Sequence, residues 1–137
     1  MVPFGGWDMP VQYAGTLAEH KAVRSAAGLF DISHMGRLTV DGPEALALVD
    51  RLFTNDPTGM KPGQVRYGLV LNEAGGVLDD ILVTKWSPEA FEVVVNAGNR
   101  EKIVAWAGRL AVGLKATLAD RTADLGMLAV QGPKALE

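Results

Sequence analysis

Alternating apolar and polar positions divide the chain into short helices and strands. A helical spacing of apolar residues predicts helices at 17–27, after Pro43, and at 99–114. Runs of strand-like composition predict strands at 37–40, 65–71, 77–86, 91–96, 116–118 and 127–130. This order of elements predicts an α+β fold, in which helices pack on mixed or antiparallel sheets.

The first 36 residues carry turn and capping signals. Residues 1–13 are rich in glycine, proline and aromatic side chains, which predicts an irregular segment that packs through its rings. For the first helix we expect Thr16 as the N-cap, with Glu19 at the capping-box position. Gly28 is expected just beyond the C-terminal end of that helix, and residues 29–34 are predicted to be extended.

Composition narrows the possible partners. Thirteen lysines and arginines against sixteen aspartates and glutamates give a net charge of −3, which argues against nonspecific nucleic-acid binding. The apolar stretches are too short to cross a membrane. We expect a cytoplasmic protein, because no targeting segment is recognisable in the sequence. With no cysteine and only two histidines, no metal site is expected.

Two adjacent aspartates stand inside the predicted strand 77–86. Because neighbours in a strand point to opposite faces, Asp79 is expected to share a face with Val77, Ile81 and Val83, and Asp80 to share the other with Leu78 and Leu82. Both faces are apolar, so we expect the strand to be covered on both sides. At least one carboxylate then points into an enclosed space, where it needs a partner or a ligand. The alternative is a half-solvated structural pair near the turn.

Four further positions are candidates for binding or chemistry. His34 follows Ser33, but neighbours in an extended chain face apart, so we expect a structural histidine hydrogen-bonded in a turn. Met35 suits a core or a pocket wall. Tyr67 is either a core aromatic or part of a pocket for a flat ligand. Asn96 can offer a donor and an acceptor to a planar heterocycle, or equally cap the helix that follows.

Five collinear segments resemble the T-protein family of the glycine cleavage system, the aminomethyltransferases. They are MVPFGGWDMPVQY (1–13), GLFDISHMG (28–36), NEAGGVLDDILV (72–83), VVNAGN (94–99) and VQGPKA (130–135). Each segment alone is weak evidence for the family, but the ordered set is highly specific and spans nearly the whole chain. The resemblance implies the N-terminal portion of a three-domain ring with folate held near its centre.

The resemblance also implies a reaction. A lipoylated carrier, the H-protein, presents an aminomethyl group on sulfur; tetrahydrofolate takes the methylene carbon and ammonia is released. The second aspartate of the family's GGxxDD motif is Asp80, which is implied to be the catalytic residue and to position the folate by its charge. Met35, Tyr67 and Asn96 occupy positions that resemble the wall of the folate pocket.

A domain plan follows from the resemblance. Residues 1–36 would belong to the first family domain, 37–120 would form the α+β subdomain with the GGxxDD motif, and 121–137 would return to the first domain. Residues 127–136 (MLAVQGPKAL) repeat the pattern of 37–46 (RLTVDGPEAL), a strand followed by a helix start. Because the second helix stops after one turn, we expect the natural chain to continue and this piece to be inactive alone.

Three other functions fit parts of the sequence. Non-catalytic folate-binding relatives, such as those that aid iron–sulfur cluster assembly, share the fold but generally lack GGxxDD. Folate-dependent demethylases and the C-terminal parts of dimethylglycine or sarcosine dehydrogenases also share the fold. A plain α+β module without a site is the third alternative. The intact Asp79–Asp80 pair favours the aminomethyltransferase.

Overall fold

The computed structural model describes all 137 residues, which form two compact units. The terminal unit comprises Met1–His34 and Gly126–Glu137, and the central unit comprises Met35–Leu125. Every strand pair is antiparallel, and three α-helices accompany the nine strands. The predicted α+β class with antiparallel sheets is therefore confirmed. None of the helices has the length and apolar character needed to cross a membrane.

The terminal unit contains two small sheets and one helix. Its elements are β1 (Val2–Phe4), β2 (Trp7–Met9), α1 (Thr16–Ser25), β3 (Gly28–Asp31) and β9 (Leu128–Gln131). β1 and β2 form a hairpin, so the prediction of an irregular start is wrong. The turn between them is closed by Gly5 and Gly6 at φ 57° and 85°, angles that glycine adopts without a steric penalty. β3 pairs with β9 from Gly28 opposite Gln131 onward.

The start of α1 is capped differently from the prediction. Gly15, not Thr16, is the N-cap, so no side chain of the N-cap residue binds the helix N-terminus. Instead one oxygen of Glu19, Oε1, accepts the backbone N–H groups of Tyr13, Ala14 and Gly15 at 2.7, 2.6 and 2.9 Å. A carboxylate in the first turn thus binds the donors just ahead of the helix, where negative charge is also favoured by the helix dipole.

The central unit is a five-stranded sheet with two helices. In spatial order its strands are β5 (Val65–Leu71), β6 (Val77–Ser87), β7 (Ala90–Val95), β4 (Gly36–Asp41) and β8 (Thr117–Asp120). The helices are α2 (Ala45–Leu52) and α3 (Arg100–Leu110), the latter preceded by a 3₁₀ turn at Ala97–Asn99. The helix predicted at 99–114 is shorter because the chain turns after Leu110, with Gly113 at φ 82°.

Both helices pack on one face of the sheet, the covered face. Alternate strand residues and the apolar stripes of the helices form a single core there. Its fully buried members include Leu38, Val40, Leu48, Val49, Val70, Ile81, Val83, Val93, Val95 and Ile103.

The opposite face of the sheet, the open face, keeps large apolar side chains in solvent. Val65, Tyr67 and Leu82 are 52%, 59% and 38% exposed. Both helices share the other face, so the prediction that β6 is covered on both sides is wrong around Asp80 and Leu82, although Thr84 further along the open face is buried. The apolar character that suggested two covered sides is real, but it belongs to an accessible surface.

A charged contact ties the edge strand β8 to α3. Asp120 accepts the Arg100 Nε–H at 2.6 Å, and its other oxygen accepts the backbone N–H and the hydroxyl of Thr122. Partial burial raises the pKa of Asp120, but the hydrogen bonds from Thr122 and the Arg100 charge outweigh it, so the pKa lies below its ordinary value.

Replacing this carboxylate should weaken the fold in a pH-dependent way. Asp120→Asn should lower the free energy of unfolding near neutral pH by about 1–2 kcal/mol, since hydrogen bonds to a charged group are lost. A depressed pKa contributes stability above the unfolded pKa of about 3.9, and this is lost as pH falls through the folded pKa. Urea denaturation at pH 7 and pH 3 should show the difference shrinking; an equal difference at both would contradict the assignment. The exposed Asp124, paired with Arg121, offers the matched control Asp124→Asn, which should change little.

Candidate functional site

A β-bulge at Leu78 lies directly before the two aspartates of the GGxxDD motif and shifts the alternation of side chains at that point. β6 pairs regularly with β5 up to Val70 opposite Asp79, and the next pair is Leu71 opposite Val77. Leu78 is the extra residue, and it packs partly buried against the core. Asp79 is 3% exposed whereas Val77 is 62% exposed. The prediction that Asp79 shares a face with Ile81 and Val83 is confirmed, since all three are buried. The placement of Val77 with Asp79 and of Leu78 with Asp80 is wrong, because one inserted residue shifts the alternation there.

Asp79 is the enclosed carboxylate, and its partners come from the protein. Its Oδ2 accepts the backbone N–H of Asn96 at 3.0 Å, and its Oδ1 accepts the side-chain amides of Asn96 and Asn99 at 2.9 and 2.6 Å. Three donors thus compensate the buried charge. The family resemblance implies folate beside Asp80 as the partner of the enclosed carboxylate, whereas in the structure the enclosed carboxylate is Asp79 and its partners are two asparagines.

Asp80 lies on the open face and is exposed. It stands opposite Leu69, and Tyr67, two residues along β5, is on the same face. The Tyr67 hydroxyl lies 3.3 Å from Asp80 Oδ2, to which it donates, and Asn96 Nδ2 donates to Asp80 Oδ1 at 2.8 Å. The structure therefore links three of the four predicted site residues by hydrogen bonds.

Asn96 connects the two carboxylates. It follows β7 and precedes the 3₁₀ turn, but its side chain makes no capping hydrogen bond, so the capping alternative is wrong. Its Nδ2 donates to Asp79 Oδ1, Asp80 Oδ1 and the Asp80 carbonyl at 2.9, 2.8 and 3.1 Å. All hydrogen bonds of the side chain run from Nδ2, which leaves Oδ1 able to accept a donor from outside the protein.

Met35 flanks this group without a hydrogen bond to it. It is half-buried and precedes Gly36, which pairs with Val95, the residue before Asn96. Met35 and Asn96 therefore continue neighbouring strands at the same end of the sheet. The assignment of Met35 to a pocket wall stays a prediction.

His34 does not have the surroundings expected for it. Its ring packs edge-on against Phe4 with centroids 5.5 Å apart, and its buried Nδ1 has no hydrogen-bond partner, so the predicted hydrogen bond in a turn is missing at that atom. Ser33 Oγ accepts the backbone N–H of Met127 at 3.0 Å. The ring is held by packing, and nothing in the pair indicates an activated nucleophile.

The contact between Asp79 and Asn99 is not among the sequence-based predictions. The available signal was the pair of asparagines three residues apart directly after the apolar strand β7, a position where side-chain amides can reach a neighbouring strand end. Their common target, Asp79, becomes evident only from the fold, which brings the end of β7 next to the start of β6.

Desolvation and charge both act on Tyr67. Desolvation of the phenol is the larger cause and the Asp80 carboxylate the next; together they raise the pKa of Tyr67 above its ordinary value. The hydroxyl is thus neutral at physiological pH and remains a donor to Asp80.

A solved structure shares this architecture. The crystal structure of glycine cleavage system aminomethyltransferase T from Bartonella henselae matches with a TM-score of 0.87 and 38% identity. The match covers 98% of this chain and 37% of that one.

Curated relatives of this chain are also named aminomethyltransferase, and they match it over a similar length. The aminomethyltransferase of Desulfitobacterium hafniense is 49% identical over 133 residues, which are 97% of this chain and 36% of the relative. That of Symbiobacterium thermophilum is 50% identical over 140 residues, covering 100% of this chain and 37% of the relative. The chain thus spans a little over a third of the length of the relatives it matches. The family model of the GCVT N-terminal domain matches residues 1–137, and the chain belongs to this family.

The contact between Tyr67 and Asp80 can be tested by titration. Asp80→Asn should move the pKa of Tyr67 down toward about 10, because the carboxylate that disfavours the phenolate is gone. Absorbance of tyrosinate against pH reports this, with Tyr13, the one other tyrosine, removed as Tyr13→Phe in both samples. An unchanged or higher pKa in the variant would show that Asp80 does not act on the phenol.

Proposed function

We propose that this chain carries a folate-binding site of an aminomethyltransferase. The reaction transfers the methylene of an S-aminomethyl-dihydrolipoyl group, borne by a lipoylated H-protein, to tetrahydrofolate and releases ammonia. Membership of the GCVT N-terminal domain family and relatives named aminomethyltransferase support it. Because the chain spans about a third of those relatives, the activity is proposed for the whole enzyme.

The observation that carries the proposal is the acceptor group on the open face. Asp80 presents a carboxylate to solvent, and beside it Asn96 Oδ1 is available as a second acceptor. The edge of a reduced pteridine carries N–H donors that such a pair can bind. The exposed ring of Tyr67 and side chain of Leu82 lie next to these acceptors, where a flat ring can cover apolar surface.

The residues of the chain suit orientation and electrostatic stabilisation. The carbon exchanges its bonds to sulfur and to the leaving amine for bonds to two folate nitrogens. The protons that those nitrogens lose balance the thiol and the ammonia. Asp80, fixed by Tyr67 and Asn96, holds the acceptor in place and puts negative charge beside a carbon that becomes more positive as the amine leaves. No covalent bond to the protein is needed.

Ligand binding tests the proposed site directly. The chain should bind 5-formyltetrahydrofolate, a stable reduced folate, with micromolar affinity, and Asp80→Ala should weaken binding by roughly tenfold or more, since a charge-assisted hydrogen bond is lost. Calorimetric titration measures both Kd values.

Asp124→Ala is the matched control for this titration. It removes an exposed carboxylate of the same unit, paired only with a neighbour on the surface, and should leave the Kd unchanged. Equal affinity of wild type and Asp80→Ala, or no binding by a folded wild-type chain, would contradict the proposal that this unit holds a main folate determinant.

A further inference from the structure

We propose that Asp79 is a positioning residue: it locks the side-chain amide of Asn96 so that Oδ1 is presented on the open face as an acceptor. The role of this contact in catalysis rests on the proposed function. The lock itself is a property of the chain without any ligand, and it can be measured separately.

The two aspartates of the GGxxDD motif differ in exposure and in hydrogen bonding. Asp80 is exposed, whereas Asp79 is 3% exposed and accepts three hydrogen bonds, two of them from Asn96. One of these comes from the backbone N–H and the other from the side chain of the same residue. Because the Asp79 carboxylate accepts from both the backbone N–H and the side-chain amide of Asn96, it fixes the position of Asn96 and the rotation of its amide.

The polarity of an asparagine amide is decided by its neighbours, because its two ends have nearly the same shape. Around Asn96 Nδ2 stand three oxygens: Oδ1 of Asp79, Oδ1 of Asp80 and the carbonyl of Asp80, at 2.9, 2.8 and 3.1 Å. In the flipped amide Oδ1 would face two carboxylates and a carbonyl with no proton between them. The observed polarity is therefore strongly favoured, and Asp79 supplies one of the two charges that enforce it.

Asn99, at the start of α3, also binds Asp79. It donates to Asp79 Oδ1 at 2.6 Å, and its backbone N–H bonds to the Asn96 carbonyl at 3.0 Å. Asp79 thereby joins the bulged end of β6 to the turn that opens α3. A rotation of the Asp79 carboxylate would break contacts with both asparagines, so its oxygens are held in place.

The lock has a consequence for ligand choice. With Nδ2 committed to the carboxylates, the outward side of Asn96 can only accept, and Asp80 next to it can only accept when ionised. The pair should bind a ligand edge that carries neighbouring N–H donors and reject one that presents acceptors there. A ligand that presents acceptors there would face the Asp80 carboxylate and leave Asn96 Oδ1 without a donor, so it should bind more weakly.

The test uses the side-chain amide of Asn96 as its own reporter. In the wild-type chain, the exchange of the Asn96 side-chain hydrogens with solvent, followed by NMR, should be at least about tenfold slower than that of Asn72, whose side chain acts only as an acceptor. Asp79→Asn keeps the size of the side chain but removes the charge. It should raise the Asn96 exchange rate by roughly tenfold and shift both amide resonances.

Asp124→Asn is the matched control, since it makes the same chemical change at an exposed surface pair and should leave the Asn96 signals unmoved. Fast exchange of Asn96 in the wild type, equal to that of Asn72, overturns the lock even if Asp79→Asn does not fold. Unchanged Asn96 signals in a folded Asp79→Asn variant also overturn it. If the lock is seen but the wild type binds no 5-formyltetrahydrofolate, the proposed function fails and the positioning role of Asp79 stands.

Discussion

The site depends on the alternation of side chains along β6, which places its two adjacent aspartates on opposite faces of the sheet. Adjacent residues of a strand must face opposite ways, so the DD motif necessarily sends one carboxylate to each side of the sheet. Asp79 faces the core together with Ile81 and Val83, Asp80 lies on the open face, and the bulge at Leu78 ends this regular alternation just before Asp79. One carboxylate becomes a structural group and the other becomes accessible, although the two are neighbours in sequence.

Burial of Asp79 imposes the arrangement at the start of α3. An uncompensated buried carboxylate costs several kcal/mol, so the donors of Asn96 and Asn99 are required by the fold. The same requirement places Asn96 between the two aspartates and next to Tyr67 through Asp80. The two aspartates are therefore coupled, because Asn96, which satisfies Asp79, also donates to Asp80.

The regular elements were predictable and the local exceptions were not. Strand 65–71 matches its prediction residue for residue, and 77–86 matches within one, because their composition and flanking turns mark them clearly. Tyr67, Asp80 and Asn96 were chosen from residue type and family resemblance, and they meet in space, while their roles stay predictions. The open sheet face depends on how distant segments pack, which a local pattern does not encode. The Glu19 contacts are local, and the sequence identified Glu19 but not the three N–H groups that it binds. The bulge is set by the register between β5 and β6, which residue type alone does not specify.

The claim that Asp80 is the functional carboxylate is tested most directly by turnover. In a full-length aminomethyltransferase that contains this domain, the Asp→Asn exchange at the second aspartate of GGxxDD should reduce kcat by about a hundredfold or more, since a positioned charge is lost from the transition state. The assay follows ammonia release from the aminomethylated carrier in the presence of tetrahydrofolate. Turnover equal to the wild type would contradict the account and favour a binding site without catalysis.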